Sequence, residues 1–309
     1  LTLRVGVVGL GATGGLFATH LARHHEVHVI ARGARGAHAL TSGLHVTGHA
    51  ELSAELPPEQ VHLLDAPDAV PPSLGLDAVL LCVKAHQVEP IVPMLAGLLS
   101  SSGVVVYLGN GLGVVERLAR AVPGHVAAAS STHGAMQGEG CTSVWTGAGE
   151  VAMASWPGGA PQHAVETVAT CIEGAGLAVK RVTDARQQIW TKALLNIAIN
   201  PLCALAGVRN GEMLQSSLFD AGVGLLLEAE QVGRHVGVNL PDIDVLVGMM
   251  VDVLGATSEN RCSMLEDVRA GRPTEIDALN GFIVNLAEHQ GMMATQNAQV
   301  TALIHALSQ

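Results

Sequence analysis

The 309-residue sequence predicts an α/β chain, with a doubly wound parallel sheet in residues 1–183 and an all-helical domain in residues 184–309. Three observations carry this expectation. Nearly continuous Val/Leu runs alternate with helical stretches in the first half, as strands covered on both faces require. A glycine-rich turn, Gly9-Leu10-Gly11-Ala12-Thr13-Gly14, joins the first such run to the first helical stretch. From Ala185 onward the apolar residues recur every three and four positions, which is the period of a helix.

In chain order, Leu3–Val8 reads as a strand, Thr13–Arg23 as a helix and Glu26–Ile30 as a second strand. Asp77–Val83 and Val104–Leu108 are further apolar strands, with a helical segment around Ile91–Leu99 between them. Gly124–Ser155 is rich in Ser, Gly and Thr with small alternating residues, and predicts additional edge strands. The character changes near Thr183-Asp184. Helices are then expected over Gln187–Leu205, Ser217–His235, Asp242–Glu259, Asp277–His289 and Gln296–Leu307. No internal repeat or low-complexity linker interrupts the pattern.

Composition excludes several function classes. With 49% apolar and 14% charged residues the chain is too rich in core-forming side chains to be disordered. Lys and Arg total 16 against 27 Asp and Glu, so 16 − 27 = −11, which argues against a nucleic-acid or anionic-membrane partner. Aromatics are only 2%, too few for a base-stacking surface. Cys82, Cys141, Cys171, Cys203 and Cys262 are odd in number and widely spaced, with no CxxC pair. That usage fits reduced thiols in a cytoplasmic protein better than a disulfide framework or a zinc site. Residues 90–115 carry no charge, but Pro93, Ser100–Gly103 and Gly109-Asn110-Gly111 break the run before it reaches the roughly 20 apolar residues of a membrane span.

Strand, glycine motif and helix in succession are the mark of a Rossmann-type dinucleotide site. The first glycine permits the tight turn, the second lets the backbone approach a pyrophosphate, and the third lets helix pack on strand. The helix N-terminus then offers N–H groups to the phosphates. Gly9, Leu10, Gly11, Ala12, Thr13 and Gly14 are therefore the expected cofactor cradle. The second strand ends Val29-Ile30-Ala31-Arg32, where an NAD site would carry Asp or Glu. A guanidinium pairs well with a 2′-phosphate, so Arg32 points to NADPH. Lys84 and Asn110 follow two later apolar strands, at positions where such a sheet presents its ligand.

Lys192, Asn196 and Asn200 lie at i, i+4 and i+8 on one face of an otherwise apolar helix. Three such groups need partners if buried. A ligand cleft or a solvated stripe would provide them, and spacing leaves both open. Residues 259–277 are denser in polar groups than their surroundings, and Thr274 is a candidate helix cap there. His20 and His24 share a helix face as zinc pairs do, yet further ligands are lacking, so no metal is expected. His133 is a second-rank acid/base candidate. Cys82 reads as a small core residue.

Three blocks carry a resemblance: GLGATGG at residues 9–15, WTKALLNIAINPL at 190–202, and SENRCSMLEDVRAGRPTEIDALNGFIV at 258–284. In their order and spacing the chain resembles the ketopantoate reductase (2-dehydropantoate 2-reductase) family over its whole length. The resemblance implies an NADPH-dependent reduction of ketopantoate to (R)-pantoate, a step toward pantothenate and coenzyme A, on a Rossmann domain followed by a helical one. It implies that Lys192 is the catalytic proton donor and that Glu275 engages the substrate and cofactor and helps position the lysine. Asn110, Asn196, Asn200 and Ser263 match substrate-binding positions; Asn110 and Lys84 also match cofactor-facing ones, and Arg32 matches the residue at the 2′-phosphate. Gly109 departs from the family, which usually carries a larger polar residue before its Asn-Gly. A reductase of another small 2-oxo acid and a non-catalytic NADPH sensor are the alternatives, though a sensor needs neither Lys192 nor Glu275. The apolar helical domain suits a homodimer as well as a monomer.

Overall fold

In a computed structural model describing residues 2–64, 73–215 and 217–308, the chain divides into two compact units. The first comprises residues 1–109 and 114–185, and the second comprises residues 110–113 and 186–309. The linear division at 183/184 thus misses one feature. The four-residue loop Asn110–Gly113 belongs with the helices.

The first unit holds strands β1 (Arg4–Val8), β2 (Glu26–Ala31), β3 (Leu44–Gly48), β4 (Leu52–Ala54), β5 (Val61–Leu63), β6 (Leu76–Leu81), β7 (Leu99–Tyr107), β8 (Val126–Ser131), β9 (Gly134–Gln137), β10 (Thr142–Gly147), β11 (Val151–Ser155) and β12 (Val179–Arg181). Its helices are α1 (Ala12–Ala22), α2 (Gly33–Ser42), α3 (Val92–Leu98), α4 (Val114–Ala121, which begins after the loop) and α5 (Gln162–Gly174). Among the described residues the large sheet runs β12-β11-β8-β7-β6-β1-β2-β5. From β8 to β5 every pair is parallel, so the strand-to-helix turns after β1, β2, β6 and β7 share one edge. The order reverses at β1, which is where a doubly wound sheet opens its ligand crevice.

Residues 124–155 do more than add edge strands. β8 lies inside the large sheet, where its small side chains are buried along the whole strand, and its antiparallel pairing with β11 makes that sheet mixed. β9 and β10 leave it to form a second sheet, β4-β3-β10-β9. Helix α1 packs against β1 and β2 on one side and β3 and β10 on the other. Every residue from Gly14 to Leu21 is consequently buried, which is why this helix has no polar face.

The second unit contains α6 (Ala185–Ala206), α7 (Asn210–Met213), α8 (Ser217–His235), α9 (Ile243–Ala256), α10 (Ser263–Arg269), α11 (Asn280–His289) and α12 (Thr295–Leu307), with a 3₁₀ turn at Ile276–Ala278. Helix α6 is long and apolar enough to cross a membrane by composition, but Leu194, Ile197, Ala198 and Leu202 are packed into the core of this unit. Leu112, from the intruding loop, joins the same core.

Candidate active site

The glycine motif has the local geometry its sequence demands. Gly9 adopts φ = +94°, a conformation that L side chains avoid, and its N–H donates to the Ile30 carbonyl at 2.8 Å. A Cβ on Gly14 would lie 1.8 Å from the Gly9 carbonyl oxygen, so only glycine lets α1 approach β1. A Cβ on Gly11 would meet nothing within 4 Å. It would instead fill the space in front of α1, whose N-terminus has no side-chain cap and no acidic residue in its first turn. Open space, uncapped N–H groups and the absence of a carboxylate together fit a dinucleotide pyrophosphate.

Arg32 is exposed at the carboxyl end of β2 and forms the N-cap position of α2. Arg35 turns back: its guanidinium donates to the Leu10 carbonyl and, at 3.2 Å, to the Gly138 carbonyl, bracing the glycine loop. Lys84 is half-buried where β6 ends and a 3₁₀ turn begins. Gly109 has its own steric reason, since a Cβ there would lie 2.3 Å from the Tyr107 hydroxyl oxygen. Tyr107 is buried, so the larger residue usual in the family has no room without moving that ring.

In the helical unit, Asn110 donates from Nδ2 to Glu275 Oε2 at 3.0 Å, across 165 residues. Local backbone pins both partners. Gly111 and Gly113 adopt φ of +105° and +77°, and the Leu112 N–H donates to the Ala278 carbonyl at 2.8 Å. The Ala278 N–H donates in turn to the Glu275 carbonyl at 3.0 Å. Thr274 Oγ1 accepts from the Ile276 N–H at 3.4 Å across Glu275, which is itself the N-cap of the 3₁₀ turn and has no side-chain cap bond, so the capping role expected of Thr274 falls to its neighbour.

Lys192 faces the same carboxylate electrostatically. Burial pushes its ammonium from 10.5 down to about 8, while the charge of Glu275 works to raise it. A lysine so poised holds a transferable proton near neutral pH. Asn196 is half-buried and Asn200 is buried, so exposure falls along the stripe. The Asn200 carbonyl accepts from Cys262 Sγ at 3.5 Å, and Cys262 is the N-cap of α10, beside the exposed Ser263. Lys192, Glu275 and Asn110 therefore form one linked group, with Asn200 and the Cys262-Ser263 pair joined through the helix backbone.

His133 serves packing. Its ring meets Phe17 and Trp145 at centroid distances of 5.9 and 5.7 Å, and Nδ1 accepts from the Gly149 N–H at 3.0 Å. Burial pushes it down to about 4, so the ring is neutral near pH 7 and offers no imidazolium as an acid. His20 stacks edge-on against Trp145 and bonds the Ala175 carbonyl, whereas His28 pairs with His62 and Glu26. Burial raises Cys82 to about 12, as befits a core thiol. One structural residue was passed over in the sequence. Asn280 is fully buried at the start of α11, and its only signal was a lone amide among apolar neighbours.

Comparison with known proteins bears on the whole chain. The family described as Ketopantoate reductase PanE/ApbA matches residues 5–158, and its C-terminal counterpart matches residues 184–308. The chain is 32% identical to the 2-dehydropantoate 2-reductase of Archaeoglobus fulgidus over 306 residues, covering 97% of this chain and 96% of that one. It is 28% identical to the enzyme of the same name from Vibrio cholerae, covering 99% and 98%. Among solved structures it resembles a PanE/ApbA family ketopantoate reductase from Ralstonia eutropha, with a TM-score of 0.87, 25% identity and coverage of 99% and 98%. A D-mandelate dehydrogenase solved with NADH and anilino(oxo)acetate has a TM-score of 0.91 at 22% identity over 99% and 98%, a likeness of fold alone.

Proposed function

Because the chain belongs to the ketopantoate reductase family, we propose that it reduces 2-dehydropantoate to (R)-pantoate with NADPH, in pantothenate and coenzyme A biosynthesis. The observation that carries this reading is the half-buried Lys192, lowered by desolvation to about 8 and facing the charge of Glu275, which Asn110 holds by a 3.0 Å hydrogen bond. Bound NADPH would supply the hydride to the keto carbon. Gly9 to Gly14 would cradle its pyrophosphate, Arg32 would pair with the 2′-phosphate, and Lys84, Asn110 and Glu275 would face the rest of the cofactor.

Lys192 gives its proton to the oxygen that gains negative charge as the carbonyl is reduced. Its ammonium also stabilises that charge before the proton moves, often the largest catalytic contribution. Desolvation strengthens this attraction and brings the acid close to operating pH. Glu275 limits the fall in proton affinity, so enough ammonium survives at neutral pH. Asn196, Asn200 and Ser263 supply donors and acceptors for the substrate's carboxylate and hydroxyl. The reading includes a cytoplasmic enzyme, which the free thiols of all five cysteines support.

The test is NADPH consumption with ketopantoate, beside 2-ketoisovalerate and beside NADH, for wild type and Lys192→Ala. Turnover with ketopantoate and NADPH that collapses in the variant supports the proposal. Preference for the other oxo acid would keep the chemistry and discard the substrate. Tight NADPH binding without turnover of either acid would refute the enzyme reading.

A further inference from the structure

Helix α6 carries Lys192, Asn196 and Asn200, and also Pro201 in its interior. Proline has no N–H, so the carbonyl of Ile197, four residues earlier, loses its helical donor. Ile197 is fully buried, where an acceptor without a partner is costly. The donor comes from Asn280, whose Nδ2 reaches the Ile197 oxygen at 3.2 Å.

The direction of that amide is fixed by a chain of further bonds. Asn280 Nδ2 also donates to Asn297 Oδ1 at 3.0 Å. Asn297 Nδ2 in turn donates to the Leu225 carbonyl at 3.2 Å and to Glu228 Oε2 at 2.9 Å. Glu228 meanwhile accepts from the Gln296 and Asn297 N–H groups, both at 3.0 Å, and so caps α12. A flipped Asn280 would set its oxygen against two acceptors. Asn280 also opens α11, two residues after the 3₁₀ turn Ile276–Ala278 whose N-cap is Glu275.

We propose that Asn280 is a positioning residue: its amide stands in for the N–H that Pro201 lacks, and thereby registers the helix bearing Lys192 to the segment bearing Glu275. An ordinary helical bond would satisfy the Ile197 carbonyl but tie α6 to nothing else. Proline exports that bond to a neighbouring element. Asn280 touches no reacting atom; it acts through the distance between Lys192 and the Glu275 charge. The inference rests on the reading of those two residues given above.

The experiment compares wild type, Asn280→Leu and the double variant Pro201→Ala/Asn280→Leu. In the double variant residue 201 regains an N–H, so the Ile197 carbonyl recovers a helical partner without the link to α11. Asn280→Leu should lose stability and at least about tenfold in kcat, since small misplacements of catalytic groups are expensive. The double variant should regain stability while kcat stays low and the pH profile stays displaced. Recovery of kcat together with stability would assign Asn280 a purely structural role and overturn the proposal, as would wild-type kcat in Asn280→Leu. If Asn280→Leu does not fold, the double variant alone carries the comparison. Failure of both to fold would assign the residue to stability and overturn it too.

Loss of the activity reading is separable. The chain has only three lysines, Lys84, Lys180 and Lys192, so ¹³C-methylation resolves each by NMR. If wild type turns over no 2-oxo acid, the Lys192 titration remains as readout. Its midpoint should move in both variants, and an unchanged midpoint would overturn the proposal.

Discussion

Replacing Lys192 by methionine should make the protein more stable and nearly inactive. Burial lowers the lysine from 10.5 to about 8, with the pull of Glu275 already included. At about 1.4 kcal/mol per unit, the native state disfavours the charged form by about 3 kcal/mol. Part of the side chain remains in solvent, which trims the gain, so Lys192→Met should add about 1–3 kcal/mol near neutral pH. The pH dependence identifies the cause. Below about 8 the native and unfolded chains both hold the proton, and the native state bears the full penalty. Between about 8 and 10.5 the native lysine releases its proton while the unfolded one keeps it, and the penalty fades. Denaturant unfolding of both proteins at neutral pH and again above 10 should therefore show an advantage for methionine that vanishes in alkali. Turnover should fall by roughly 10²–10⁴, the usual contribution of a positioned acid. A variant less stable than wild type at neutral pH, or an advantage that persists in alkali, would refute the account of a desolvated ammonium.

With Lys192 as the proposed proton donor, kcat/KM for ketopantoate should be flat below and should decline as pH rises through about 8; a profile without that limb would remove the lysine from the proton transfer. The two glycines should part company. Gly14→Ala drives a Cβ into the Gly9 carbonyl and should destabilise the first unit, by more than the roughly 1–3 kcal/mol of ordinary overpacking, whereas Gly11→Ala should melt normally and bind dinucleotide more weakly in a fluorescence titration. Arg32→Ala should weaken NADPH by about tenfold or more, the worth of a charged hydrogen bond, and leave NADH almost untouched; equal losses for both cofactors would take Arg32 away from the 2′-phosphate.

The parts legible in the sequence are those decided by near neighbours in the chain. Gly9 needs its positive φ, and Gly14 its missing Cβ, because strand, turn and helix follow within a few residues. The helices of the second unit announce themselves by period, and α8 has the bounds that its pattern predicts, Ser217–His235. Arg32 and the Lys192-Asn196-Asn200 stripe were visible as residue types at telling positions. Whether that stripe faced ligand or solvent was not, because periodicity says which residues share a face and nothing about what covers it.

Tertiary structure decided what depends on residues remote in the chain. The second sheet pairs β3 with β10, nearly a hundred residues on, and that cover is what buries α1 on every side. The loop Asn110–Gly113 leaves the first unit to join the second, and only there does Asn110 meet Glu275. Lys192 is an ordinary lysine by sequence; its acidity arises from desolvation, held in check by one distant carboxylate. Pro201 likewise reads as a flaw in a helix until Asn280 is seen to supply the missing donor. Steric and conformational rules act through adjacent bonds and are therefore written locally. Desolvation, charge and hydrogen-bond satisfaction act through space, and the fold alone determines which residues share that space.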